Sequence, residues 1–206
     1  MRHAFGLEIP QTLEEVCDPR RLALIVYDMQ AGILAQLPEA ATATARVVEV
    51  LEAAREGGYR VFFTRHMSLP AEVTGVAGLR MAMAWQRLDR PEDVTPAFRP
   101  GSTAFQLVPE VTPRPSEAVF DKITMSCLLG TPLDLALRDC GVNAFAIVGV
   151  ALEVGIEPTV RHGADLGYIP VVVADACGGR DEDARQRALA GLAFAGDSLI
   201  SDSATV

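Results

Sequence analysis

The stretch Leu22-Ala23-Leu24-Ile25-Val26-Tyr27-Asp28 decides the fold, because it is an apolar run that ends on a carboxylate. A continuous run of this kind predicts a strand that is buried on both faces, as the strands of a parallel sheet are. Similar short runs recur along the chain, and most are separated by segments of helical length. This alternation predicts an α/β fold, in which a parallel sheet is wrapped by helices.

The remaining predicted elements follow from the same patterns. Strands are predicted at 59–64, 117–120, 144–148, 169–174 and 197–201, and helices at 40–56, 131–139, 154–166 and 182–195. The stretch from Arg65 to Pro115 is less regular and is predicted to form a short helix and long loops, either a pocket wall or lid or a peripheral subunit contact. The length of 206 residues fits one domain over 1–206, with 1–20 as an N-terminal extension.

Composition excludes several classes of function. The chain carries 18 Lys and Arg residues against 27 Asp and Glu residues, a net charge of −9, so it lacks the basic surface that binds nucleic acid or anionic membranes. The sequence has neither an apolar run of the ~20 residues that span a bilayer nor an apolar signal core. Its four scattered cysteines indicate neither a disulfide framework nor a zinc ribbon. We therefore expect a cytoplasmic protein with a small-molecule substrate and no nucleic-acid or membrane partner.

Charged residues stand where several predicted strands end. The carboxyl ends of parallel strands meet at one edge of the sheet, and open α/β sheets bind ligands there. The residues at these ends are Asp28, Arg65-His66, Asp121-Lys122, the segment 149–155 and Asp175. We expect Asp28 and Lys122 to form a pair that exchanges a proton with substrate, since burial and a nearby cation tune a carboxyl pKa. The alternative is that Asp28 caps a turn and Lys122 is solvated.

Three segments together resemble a known family. They are Ile25 to Gln30 around Asp28, Asp121 to Leu133 around Lys122, and Gly149 to Gly163. In this order they resemble the isochorismatase-like cysteine hydrolase superfamily. The resemblance implies a single-domain, three-layer α/β/α fold with a mainly parallel six-stranded sheet. It also implies a homo-oligomer, either a dimer or a tetramer, and a reaction that needs no cofactor.

The resemblance also implies roles for individual residues. In the superfamily's amidases an Asp activates a Cys nucleophile, a Lys supports the charge, and backbone amides after a cis peptide bond hold the oxyanion. The matching positions are Asp28, Lys122 and the Val150-Ala151 bond, with oxyanion donors near Ala151, Leu152 and Gly155. Glycine stands at 155 where the amidases have Cys, so this chain has no thiol at that position.

The superfamily's isochorismatases make the same replacement and keep the Asp and the Lys. Cleavage of the vinyl ether of isochorismate needs protonation of an enol carbon and addition of water, so a carboxylic acid suffices. The resemblance thus implies a hydrolase in which Asp28 is the general acid/base, Lys122 supports it and Gly155 leaves room for substrate. The substrate stays open, because residues 156–161 are more similar to the amidases and His66 stands where isochorismatases have Gln.

Two alternatives stay open beside this hypothesis. One is an amidohydrolase with a relocated nucleophile, Cys127 or Ser126, since Lys122 is close in sequence and a cation favours a thiolate. The other is a catalytically inactive binding subunit. The missing Cys favours that alternative, whereas the retained Asp28 and Lys122 argue against it.

Further candidate residues contact the substrate in this hypothesis. His66 and Ser126 are candidates for hydrogen bonds, Arg65 for a substrate carboxylate and Trp85 for a flat apolar ligand. The alternatives are a surface histidine, a serine bonded to backbone, a solvated arginine and apolar filler. No metal site is expected, because a catalytic zinc needs several protein ligands and His66 is the one good candidate in its segment.

Overall fold

The chain folds into strands and helices that alternate after residue 21. The computed structural model describes residues 1–205, so Val206 of the predicted domain lies outside the described residues. The strands are β1 (Arg2–Ala4), β2 (Leu7–Ile9), β3 (Leu22–Tyr27), β4 (Arg60–His66), β5 (Ala118–Lys122), β6 (Ala144–Val150), β7 (Ile169–Gly178) and β8 (Leu199–Ser201). The helices are α1 (Leu13–Val16), α2 (Ala31–Leu34), α3 (Ala40–Glu56), α4 (Val76–Gln86), α5 (Leu133–Asp139), α6 (Glu157–Asp165) and α7 (Glu182–Ala195). None of the helices found between residues 1 and 205 has the length and apolar character of a membrane span.

Strands β3 to β8 form one parallel sheet in the order β5-β4-β3-β6-β7-β8. Strand β3 lies inside the sheet and all of its residues are buried, as the apolar run predicts. Strands β1 and β2 form a separate antiparallel hairpin. Helix α1 lies in the predicted N-terminal extension, but its Leu13 and Val16 pack into the hydrophobic core of the domain.

Helices cover both faces of the sheet. Helix α3 packs Val47 and Leu51 against the face that carries Leu24. Helices α5, α6 and α7 cover the opposite face, where Ile25 and Tyr27 lie. Alternate residues of β3 therefore serve two cores, which is why its run contains no polar gap. The predicted three-layer α/β/α fold is confirmed.

Strand β7 is longer than predicted, so the candidate residue Asp175 lies inside the strand and not just past its end. The register between β6 and β7 is irregular, since Ile147 pairs with Val172 but Gly149 pairs with Cys177. Asp175 consequently lies within β7, where its carboxylate accepts a hydrogen bond from the Ser203 N–H at 2.8 Å. This corrects the expectation that Asp175 stands at the ligand-binding end of a strand.

The irregular stretch from Arg65 to Pro115 contains α4 and several short 3₁₀ turns. Trp85 and Gln86 at the end of α4, together with Ala97 and Phe98, line a cavity at the carboxyl edge of the sheet. The stretch therefore forms one wall of a pocket, the first of the two roles expected for it.

Candidate active site

Asp28 follows the last residue of β3 and lines the cavity. Its φ of 48° lies in the left-handed region, which Asp and Asn tolerate better than most residues do. The buried Thr64 of β4 holds it in place: the Asp28 N–H donates to the Thr64 carbonyl at 3.2 Å, and the Thr64 hydroxyl donates to Oδ1 at 2.7 Å. The end of β3 and its neighbour β4 thus determine where this carboxylate lies.

Lys122 is the last residue of β5 and reaches Asp28 across β4. Its Nζ donates to Asp28 Oδ2 at 2.6 Å and to the Thr124 carbonyl at 3.2 Å. The ammonium also lies 4.3 Å from the centre of the Tyr27 ring, a favourable cation–π distance. The side chains of Lys122 and Asp28 are only 1% and 5% exposed. Since an unpaired charge buried to this extent is very costly, the direct contact between the two groups is what allows both to be buried.

A cavity of about 140 Å³ lies beside this ion pair. Most of its lining is apolar, which is typical of a small-molecule site. The apolar and aromatic residues are Tyr27, Ile33, Leu37, Trp85, Ala97, Phe98, Met125, Val150, Ala151 and Val154, and the polar ones beside the ion pair are Gln36, His66, Gln86 and Arg180. Gly155 completes the lining. Within residues 1–205, no group of three or more His, Cys, Asp or Glu side chains is placed to hold a metal ion.

Gly155 lies against Tyr27 in the π-helical turn Leu152–Ile156. A Cβ added to Gly155 would overlap the Tyr27 hydroxyl and lie 2.5 Å from the ring carbon Cζ. The hydroxyl donates to the Met125 carbonyl, and burial raises the pKa of Tyr27 well above its ordinary value, so the phenol stays neutral. Tyr27 therefore fills the space that a side chain at 155 would need. Sequence reasoning missed this contact.

The backbone between β6 and the π-helical turn approaches β3 closely. Gly149 pairs with Tyr27 and has a φ of +124°, and a Cβ on it would overlap the Tyr27 carbonyl, so only glycine fits there. The Val150-Ala151 peptide bond is cis, at the position that the resemblance implies. Ala151 lines the cavity, whereas the Leu152 side chain is fully buried.

The Gly155 amide already has a partner within its own turn. Its N–H donates to the Ala151 carbonyl at 3.0 Å. This corrects the expectation that Gly155 offers a free oxyanion donor, because an N–H engaged inside a helical turn is not one of the unsatisfied groups at the turn's start.

His66 is the last residue of β4 and pairs in register with Lys122. The fully buried Gln30 clamps its backbone: the His66 N–H donates to Gln30 Oε1 at 2.6 Å, and Gln30 Nε2 donates to the His66 carbonyl at 3.0 Å. The ring lies edge-on to Trp85 and Phe98, with centroids 6.1 and 5.8 Å away. Burial lowers the pKa of His66 to about 4, and the Lys122 charge acts in the same direction. The imidazole is therefore neutral at pH 7.

Arg65 and Ser126, which were predicted to contact substrate, lie outside the set of described residues that line the cavity. The Arg65 guanidinium pairs with Asp121 at 2.7 Å and lies 4.3 Å from the centre of the Phe105 ring. Ser126 Oγ lies 2.8 Å from His162 Nδ1. Both side chains thus have protein partners.

Cys127 lies within the hydrophobic core on the face covered by α5. Its side chain is fully buried, and burial raises the pKa of the thiol to about 12, even though the Lys122 charge opposes this. A thiol with this pKa is protonated at pH 7, and a thiol is a much weaker nucleophile than a thiolate.

Arg180 lines the cavity and was not among the predicted candidates. It follows the end of β7, and its backbone N–H donates to Glu153 Oε1 at 2.7 Å, which ties it to the π-helical turn. The predicted strand ended at residue 174, so the rule that selects residues just past strand ends stopped short of it. A correct end for β7 would have found it.

Comparisons with known proteins identify the family. A family model described as the isochorismatase domain matches residues 22–202. The chain is 32% identical over 191 residues to the ureidoacrylate amidohydrolase RutB of Methylobacterium radiotolerans, covering 85% of this chain and 74% of that protein. A solved isochorismatase family protein from Burkholderia thailandensis is similar with a TM-score of 0.73 at 26% identity, covering 93% of this chain and 95% of that one. Nicotinamidase PncA from Bacillus subtilis shares the fold, with a TM-score of 0.75 at 16% identity over 88% of this chain and 99% of that one. The chain thus belongs to the isochorismatase family, within the isochorismatase-like cysteine hydrolase superfamily.

Proposed function

We propose that this isochorismatase-family hydrolase cleaves a small substrate without a covalent enzyme intermediate, with Asp28 as general acid/base and Lys122 as its partner. The observation that carries the proposal is the overlap between Tyr27 and any side chain at position 155. A nucleophile at 155 is therefore excluded twice, by the glycine and by the space that Tyr27 fills. The buried ion pair beside that space is nevertheless intact, at 2.6 Å.

The ion pair has the properties that proton transfer requires. Asp28 lies between a hydroxyl donor on Oδ1 and an ammonium on Oδ2, so a proton from Lys122 can pass through the carboxylate to the substrate. In a vinyl ether the proton goes to the enol carbon, the oxygen of water bonds to the adjacent ether carbon, and the C–O bond of the resulting hemiketal breaks to give a ketone and an alcohol. In an amide or ureide the proton goes to the leaving nitrogen, and the oxygen of water bonds to the carbonyl carbon as the C–N bond breaks. The proton that water releases restores the pair, so the net reaction consumes one water molecule.

The residues that line the cavity favour a substrate that has an unsaturated or apolar part and a carboxylate. Trp85 and Phe98 offer apolar surface for the body. Arg180 lines the same cavity, and a guanidinium suits a planar carboxylate.

Amide or ureide hydrolysis is the second candidate reaction. It is favoured by the 32% identity to a ureidoacrylate amidohydrolase. In this chain it would also proceed by direct attack of water, because Cys127 is buried in the core and Ser126 is engaged with His162.

The test is a substrate panel combined with mass spectrometry of the intact protein. Isochorismate is assayed by release of pyruvate, and ureidoacrylate and related amides by release of ammonia. We expect turnover of a panel member with no increase in protein mass when the reaction is quenched in the steady state. A covalent adduct during turnover would contradict the nucleophile-free reaction, and a protein that turns over no member would contradict the proposed substrate class.

Removing the two alternative nucleophiles is expected to leave turnover unchanged. In Cys127→Ala and in Ser126→Ala we expect kcat within about twofold of the wild type, because neither side chain lines the cavity. The Cys127 change removes a buried sulfur and should lower the free energy of unfolding by about 1 kcal/mol. Steady-state kinetics and urea unfolding check both expectations. A hundredfold loss of kcat in either folded variant would assign the nucleophile to that residue.

A further inference from the structure

We propose that His66 is the base that takes the proton from the hydrolytic water in this cavity. The inference rests on the proposed function and deepens it, since it assigns the second proton transfer of the reaction to a named residue. The ion pair protonates the substrate, and a different group accepts the proton of water as its oxygen attacks.

His66 is the lining residue that can act as this base, because the other titratable or charged side chains of the lining are excluded. Its titratable and charged side chains are Tyr27, Asp28, His66, Lys122 and Arg180. The Tyr27 hydroxyl is a neutral phenol that donates to the Met125 carbonyl, and a guanidinium has no lone pair that accepts a proton. Asp28 and Lys122 are bound to each other. Among the described residues that line the cavity, His66 is the one that offers a basic, unprotonated nitrogen at pH 7.

The geometry of His66 suits a base rather than a structural histidine. Its hydrogen bonds to the described residues use the backbone, through the Gln30 amide and the register with β5. The ring nitrogens are therefore left for a ligand or water, while Trp85 and Phe98 restrict the ring by edge contacts. A rigid backbone and a restricted ring hold a base in one orientation, which is what efficient proton transfer needs.

The surroundings of the ring keep it unprotonated at pH 7, so that it starts the reaction as a neutral imidazole. Burial and the Lys122 charge lower the pKa of His66 to about 4, and only Asp28 opposes them. An exposed histidine has a pKa of ~6.5. His66 therefore stays neutral at pH values where an exposed histidine is largely protonated.

The protons released and taken up in one turnover are equal in number. The water O–H bond breaks, its oxygen bonds to the substrate carbon, and the proton moves to a ring nitrogen of His66. The Asp28–Lys122 pair gives one proton to the substrate as the scissile bond breaks. The imidazolium then returns its proton to the pair through solvent in the cavity, and both groups regain their starting charge.

The test compares two variants of His66 with a control. Glutamine can hydrogen-bond to water but cannot take its proton, and alanine leaves space for free imidazole. With the best panel substrate we expect His66→Gln to lower kcat by about 10²-fold or more, with KM changed by less than about threefold. His3→Gln serves as the control, because His3 is exposed in the N-terminal hairpin, and it should match the wild type.

Chemical rescue separates a base from a structural residue. We expect added imidazole to raise kcat of His66→Ala in proportion to its concentration and to leave His66→Gln unchanged. Loss of activity without rescue, or a His66→Gln variant that retains more than a third of wild-type kcat, would overturn the inference. If Asp28→Asn is inactive while His66→Gln is active, this inference fails alone; if the wild type turns over no panel member, the proposed function fails and takes this inference with it.

A titration of the ring tests the assignment without any substrate. The chain has three histidines, so the His66 ring signals in an NMR spectrum are assigned by their loss in His66→Gln. We expect them to stay those of neutral imidazole until the pH approaches about 4. A ring that is protonated at pH 7 would overturn the inference.

Discussion

Replacement of Asp28 by Asn is expected to lower kcat by about 10³-fold while the protein remains folded. In the proposed reaction a proton passes through the carboxylate, and the amide cannot carry it. It does fit the site, because Asn tolerates the φ of 48°. Its oxygen can accept from Lys122 Nζ, and its NH₂ group can donate to the Thr64 hydroxyl, so the two contacts of the carboxylate are retained in altered form. Steady-state kinetics on the best panel substrate measures the loss.

The control for this variant concerns the buried charge of Lys122. Without the carboxylate the ammonium lacks its counter-charge, and an unpaired buried charge destabilises a protein by about 3–5 kcal/mol. The double variant Asp28→Asn/Lys122→Met removes both charges, so it should unfold closer to the wild type and be equally inactive. Circular dichroism and urea unfolding establish which variants are folded. A folded Asp28→Asn protein with kcat within tenfold of the wild type would refute the role of Asp28.

Introducing a cysteine at Gly155 is expected to destabilise the protein unless Tyr27 is shortened at the same time. Overpacking of a closed site costs about 1–3 kcal/mol or more, and a Cβ at 155 would overlap the Tyr27 hydroxyl. Tyr27→Ala alone opens a cavity and should cost about 3–5 kcal/mol, as other aromatic truncations do. In the double variant Gly155→Cys/Tyr27→Ala the new side chain occupies the space that Tyr27 leaves. We therefore expect its loss in the free energy of unfolding to be smaller than the sum of the two single losses by about 1 kcal/mol or more.

A double-mutant cycle in urea measures this coupling, and Tyr27→Phe supplies its matched control. Phenylalanine removes the hydroxyl but keeps the ring carbon that lies 2.5 Å from the added Cβ. Gly155→Cys should therefore remain strongly destabilising in the Phe background and become tolerated in the Ala background. Equal costs of Gly155→Cys in the wild-type, Phe and Ala backgrounds would show that Tyr27 does not close position 155.

Much of the fold follows from local pattern. The apolar run of β3 has the predicted bounds, and helix α7 begins and ends at the predicted residues. Strand β7 was predicted too short, because its last residues pair with β6 through an irregular register that no local periodicity reveals. The hairpin of β1 and β2 was also missed, since its burial is slight and carries no clear alternation of apolar residues.

The sequence likewise predicted only part of the candidate site. Asp28, Lys122 and His66 were found from their places at strand ends, and all three line one cavity. Arg65 occupies an equivalent place, yet it pairs with Asp121 of the neighbouring strand. A strand end predicts which edge a residue reaches, but the direction and partner of its side chain depend on the neighbouring strands.

The sequence alone determined the α/β class, because that class depends on the hydrophobic pattern. It also determined which edge of the sheet carries the candidate site and which carboxylate and ammonium meet there, because parallel strands share one direction. Only the tertiary structure decided that Tyr27 closes position 155. These two residues are far apart in the chain and meet because β3 pairs with β6 in the register that sets Tyr27 beside Gly149. A contact between residues on different elements depends on register and packing, which no single segment of sequence encodes.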